Sequence, residues 1–128
     1  MQVRGGSGDF MSQKEAVTRA IAAHGTWKLK FEDFMEGKID LDELAISRSN
    51  LCDFGKWLEG EGKKELAPAD YQEVHRLHAD FHMIASLVVR KKKSGDADSA
   101  WQDLSPTGAF TTASAALTLK MMAIRRTL

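Results

Sequence analysis

Between Pro68 and Lys93 the residues Tyr71, Val74, His78, Phe81, His82, Ala85 and Val88 recur every three or four positions. That is the spacing of one face of an α-helix, and no other pattern in the chain runs as long without interruption. Pro68 suits the first turn, where a helix has no use for the N–H that proline lacks. A helix with one apolar face is stable only when other elements cover that face. The rest of the chain therefore has to supply its partners.

Three further segments have the same period. The first runs from Ser12 to Met35 and carries Val17, Ile21, His24, Phe31 and Phe34, with Trp27 beside them. Ser12 and Glu15 have the spacing of a capping box, and Gly37 is a helix stop. The second, from Asp40 to Glu59, carries Leu41, Leu44, Arg48, Leu51, Cys52, Gly55 and Leu58. Asp40 reads as its cap, and Gly60 and Gly62 as its close. Gly55 inside it costs about 1 kcal/mol relative to alanine, so something large must come close there. The fourth begins after Asp96 with Ala100, Trp101 and Leu104, meets Pro106, and resumes from Thr107 to Ile124. No stretch alternates with period two. The expected fold is all-α, an antiparallel four-helix bundle joined by short connections, with the fourth helix kinked or broken near Pro106.

Residues 1–11 contain Gly5-Gly6-Ser7-Gly8 and read as a flexible tail or a linker remnant. Residues 12–128 read as a single domain. The 18 basic and 18 acidic residues cancel, which argues against a nucleic-acid partner or adhesion to an anionic membrane. The basic run Arg90-Lys91-Lys92-Lys93 falls where a helix C-terminus favours cations. There is no run of 18 apolar residues and no secretory signal pattern. One cysteine allows no internal disulfide and fits a reducing compartment, so a cytoplasmic location is expected.

His78 and His82 stand four apart, which puts both imidazoles on one helix face. His24 and Cys52 lie on the stripes of the first two segments. Taken singly, each fits a hydrogen-bonded core histidine or a small buried thiol. Taken together, three histidines and one cysteine match the donors of tetrahedral zinc, at about 2.0–2.1 Å for nitrogen and 2.3 Å for sulfur. His75 competes for the same face, although the i, i+4 pair clamps one ion more easily. The spacing of His78 and His82 is that of helical zinc proteases, but Ala79 stands where their glutamate base would be. Four protein ligands also leave no position for water. A di-iron bundle would need more histidines and several core carboxylates.

Cys52-Asp53-Phe54-Gly55-Lys56-Trp57 matches the Cys-x-Phe-Gly-x-Trp core of the chemoreceptor zinc-binding family, the CZB domains of bacterial signalling proteins. His78-Ala79-Asp80-Phe81-His82 matches that family's His-x-x-x-His pair, and His24 lies at the expected distance upstream. The chain resembles this family from about residue 14 to 124. The resemblance implies a four-helix bundle holding zinc through His24, Cys52, His78 and His82. It implies a homodimer that regulates a chemotaxis or cyclic-di-GMP output, through a partner protein or a further domain. Neither a methyl-accepting coiled coil nor a cyclase domain is present, so the chain is expected to be a free-standing member or a piece of a longer protein.

Zinc would keep Cys52 as the nucleophilic thiolate. Oxidation of that sulfur would weaken the metal and the joint it makes between helices. The expected function is therefore a non-enzymatic zinc-binding sensor that answers to zinc or to oxidation of Cys52. The alternatives are a helical scaffold with structural zinc that mediates protein interaction and, less in keeping with the ligand set, a metal-dependent hydrolase. Asp53 and Asp80 are candidates to orient an imidazole, or else belong to a solvated face. Phe54, Gly55 and Trp57 are expected to pack around the ligands.

Overall fold

The computed structural model describes residues 12–128, so the flexible tail expected over 1–11 lies outside the described residues. Every described element is helical. Helix α1 spans Gln13–Met35. Ser12 Oγ accepts from the Glu15 N–H at 3.1 Å while Glu15 Oε1 accepts from the Ser12 N–H at 3.0 Å, which closes the anticipated capping box. Gly37, at φ +80°, turns the chain away. Short helix α2 (Glu43–Ser47) and a 3-10 turn (Ser49–Leu51) follow. Next come α3 (Asp53–Trp57), a π-helical turn (Leu58–Gly62) and α4 (Lys63–Glu65). Helix α5 spans Pro68–Lys93, α6 Ala97–Asp103 and α7 Ala109–Arg126. No described helix is long and apolar enough to cross a membrane.

The first, third and fourth segments fall where their local signals put them, and the helix does break around Pro106. The second segment is different. The single helix expected over Asp40–Glu59 does not form. Asp42, not Asp40, caps α2, its carboxylate accepting from the Ala45 N–H at 2.9 Å. The chain leaves helical geometry at Arg48 and again at Cys52, which is extended (φ −84°, ψ 164°). Beyond it the helix runs through Gly60 and Gly62 as far as Glu65. Of the expected stripe, Leu44 is exposed, while Ile46 and Phe54, which it omitted, are buried.

Helix α5 packs against α7, α2 and α6, and α1 against α3 and α7. Two apolar clusters result. One gathers Phe31 and Phe34 of α1, Ile46 of α2, Phe81 and Val88 of α5 and Phe110 of α7. The other gathers Val17 and Ala20 of α1, Phe54 of α3, Val74 of α5 and Leu117 and Met121 of α7. Each fully buried phenylalanine contributes roughly 1.5–3 kcal/mol. Along α1 the residue between the two clusters is His24. Along α5 the transition contains His78 and His82, and along α7 it contains Ser114. The polar layer therefore sits at one level of the core.

The basic run at the end of α5 is used in full. Arg90 pairs with Glu43 at 2.6 Å, Lys91 with Asp103 at 2.7 Å and Lys93 with Asp40 at 3.2 Å. Lys92 donates to the Phe34 carbonyl and lies over the Phe34 ring. Together these contacts tie the C-terminal ends of α1 and α5 to the connections around them.

Candidate metal centre

Cys52 is the N-cap of α3. Its sulfur accepts from the Gly55 N–H at 3.3 Å, in the place where a serine or aspartate oxygen usually serves. This explains the glycine three residues on. A Cβ at position 55 would lie 1.9 Å from the Ser49 carbonyl oxygen, so only glycine lets the 3-10 turn fold back over α3. The break in the second segment thus presents the thiol to α5. Phe54, on the buried side of α3, sets its ring 4.7 Å from that of His78 and 5.9 Å from that of His24.

On α5, His78 and His82 are both essentially buried. Their Nε2 atoms lie 3.3 Å and 3.4 Å from Cys52 Sγ. The three donor atoms all fall within 4.8 Å of one another. Zinc bound tetrahedrally at ordinary lengths separates a sulfur from a nitrogen by about 3.6 Å. The spacing is close to that of atoms sharing one small cation, and it equally suits hydrogen bonds between the thiol and the imidazoles.

The protonation pattern agrees. His82 Nδ1 is 2.7 Å from the Ile46 carbonyl oxygen. A carbonyl only accepts, so Nδ1 carries the proton and Nε2 keeps a lone pair directed at the sulfur. Burial holds the imidazoles neutral. It lowers His24 to about 4 and His78 to about 3, with the neighbouring His82 adding to both effects, and lowers His82 as well. Burial also raises the Cys52 thiol, and the N–H groups of Gly55 and Phe54 offset this only in part. Without metal the site is a neutral thiol among neutral rings. A divalent cation would draw off the thiol proton and find three soft or borderline donors.

His24 stands beside this group and outside its 4.8 Å circle. Its ring lies 4.6 Å from that of Phe81. Its Nε2 is 3.0 Å from Ser114 Oγ on α7, and its Nδ1 is buried with no hydrogen-bond partner. An orphaned ring nitrogen in a core is costly, roughly 1–3 kcal/mol. A metal bond would remove that cost.

His75 is on the exposed side of α5, 3.2 Å from Glu59, and takes no part in the cluster. Asp80 is exposed and pairs with Arg76 at 3.4 Å. Asp53 is exposed at the start of α3, and Trp57 packs against Phe54 with ring centroids 5.7 Å apart. Two groups that serve the site had no signature in the sequence. The Ile46 carbonyl is backbone, and Ser114 is one small hydroxyl residue among several on α7.

A family model described as the chemoreceptor zinc-binding domain matches residues 24–89, just over half of the chain, from His24 to about two turns past His82. No curated protein and no solved structure matches it.

Proposed function

The chain belongs to the chemoreceptor zinc-binding domain family, whose members are zinc-binding signalling domains, and from that premise we propose that it is a regulatory zinc sensor of a chemotaxis or cyclic-di-GMP pathway. The observation that carries this is the convergence of Cys52, His78 and His82 to within 4.8 Å. The fourth ligand in this proposal is His24. Its unpartnered, buried Nδ1 and its place between the two apolar clusters support that role. Bound zinc would supply a positive centre that keeps Cys52 as thiolate. This chain's residues do the rest. Ile46 fixes the His82 tautomer, Gly55 steadies the sulfur, and Phe54 and Phe81 pack against the His78 and His24 rings.

The signal in this proposal is zinc itself or oxidation of Cys52, the one ligand with redox chemistry. Its output is conformational rather than catalytic. The ligands come from α1, the head of α3, and α5, so gaining or losing the ion would change how these elements are held together. The order in which α1, the second segment, α5 and α7 meet the two apolar clusters supports an antiparallel four-helix reading of residues 12–128. Large apolar side chains left exposed, Leu44, Met83 and Leu119 among them, support a homodimer. The lone cysteine supports a cytoplasmic setting.

The test is zinc stoichiometry in the purified chain and in Cys52→Ala and His82→Ala variants. One zinc per chain is expected in the wild type and a loss of most of it in both variants. Unchanged one-to-one zinc in both would remove the site. Near-complete burial of His78 and His82 also favours a purely structural zinc. Titration separates the two readings. A sensor releases zinc with a change of shape while still folded, whereas a structural ion leaves only on unfolding.

A further inference from the structure

A cleft of about 280 Å³ opens beside the clustered donors, between α1 and the stretch from Ala45 to Asp53. Cys52 and His82 line it, whereas His78 and His24 do not. The clefts near Ser12 and near Ile84 touch none of the four. Among the described residues this cleft gives an approach to the donors from solvent, past Trp27, Lys30, Arg48 and Asp53. Lys30 and Arg48 are exposed and form no ion pair among the described residues, and Asp53 is the one carboxylate in the lining. Lys30 Nζ is held 4.8 Å over the Trp27 ring, which keeps its charge at the rim. The mouth therefore has an excess of positive charge in a chain whose overall charge is zero.

A positive mouth is a poor entrance for a bare divalent cation and a good one for a small anion. We propose that this cleft is the metal's entry route, and that Lys30 and Arg48 make it selective for zinc carried by small anionic chelators with carboxylate or thiolate donors. The proposal rests on the zinc-site reading above. Delivery is a ligand exchange without redox change. Cys52 Sγ bonds to the metal as a carrier carboxylate leaves it, and the thiol proton goes to solvent. His82 Nε2, the other donor at the cleft floor, displaces a second carrier atom. The carrier departs as the free anion.

The experiment follows zinc uptake by the metal-free chain from two carriers of opposite charge. The zinc complex of nitrilotriacetate is an anion, and that of tris(2-pyridylmethyl)amine is a cation with the same tripodal shape. Growth of the zinc–thiolate absorption gives the rate, and final stoichiometry is measured separately. In a Lys30→Gln, Arg48→Gln double variant, uptake from the anionic carrier is expected to slow about five- to tenfold and to lose its salt dependence. Uptake from the cationic carrier is expected to stay level or quicken, with one zinc bound at the end. The charge-conserving pair Lys30→Arg, Arg48→Lys is expected to keep wild-type rates. Equal slowing with both carriers, or no slowing with the anionic one, overturns the entry route while leaving the site intact. A wild-type chain that takes up no zinc from either carrier overturns the site, and the route with it.

Discussion

Acidifying the metal-free chain isolates the contribution of the buried imidazoles. In the folded state burial lowers His24 to about 4 and His78 to about 3. In the unfolded chain both return to about 6.5. Below that value the unfolded state therefore binds protons that the folded state refuses, and stability falls as pH falls. The loss begins near pH 6.5 and continues down to the folded values. Between pH 7 and pH 5 each of the two rings removes about 2 kcal/mol, or roughly 4 kcal/mol together. His82, lowered for the same reason, acts in the same direction. A domain of this size has about 5–15 kcal/mol in all, so the metal-free chain should lose at least about a quarter of its stability by pH 5. Bound zinc should hold stability up to lower pH, because protons must then compete with the metal for the ligands. Urea unfolding followed by far-ultraviolet circular dichroism at pH 7, 6 and 5, with and without a chelator, measures both effects. A metal-free stability that stays level from pH 7 to pH 5 would refute burial of neutral imidazoles.

Two substitutions probe the supports of the cluster. Gly55→Ala places a Cβ 1.9 Å from the Ser49 carbonyl oxygen and forces backbone apart. A loss of about 3–5 kcal/mol is expected, with weaker zinc binding, as read by thermal melting and chelator competition. Ser114→Ala leaves His24 Nε2 without its partner. It should cost about 1–2 kcal/mol and weaken zinc about ten- to a hundredfold. Lowered stability with unchanged zinc affinity would exclude His24 as a ligand.

The ends of α1, α5 and α7 were legible because their signals are local. Ser12 with Glu15, Gly37, Pro68 and Pro106 each act on the backbone of the next few residues. The second segment misled because its apolar positions satisfy a helical period that tertiary structure overrides. Nothing near Cys52 announces that its sulfur will cap α3, and the reward for breaking the helix lies on α5, 26 and 30 residues away. Cys52, His78 and His82 could be picked out by residue type and by the Cys-x-Phe-Gly-x-Trp context. The Ile46 carbonyl, Ser114 and the cations at the cleft could not. A backbone acceptor has no residue type, and a serine or an arginine takes its meaning from what faces it.

The capping sulfur of Cys52 has an evolutionary consequence. Serine, threonine, aspartate and asparagine start helices well, through short hydrogen bonds from oxygen. A thiol at the same place accepts at 3.3 Å and caps weakly. The site therefore pits two selection pressures against each other at a single atom. A drift to serine would strengthen the start of α3 and silence the metal centre in one step. Persistence of cysteine at this helix start would mark lineages in which the chemistry is still under selection. Its exchange for an oxygen cap would mark those in which the fold has outlived its ion.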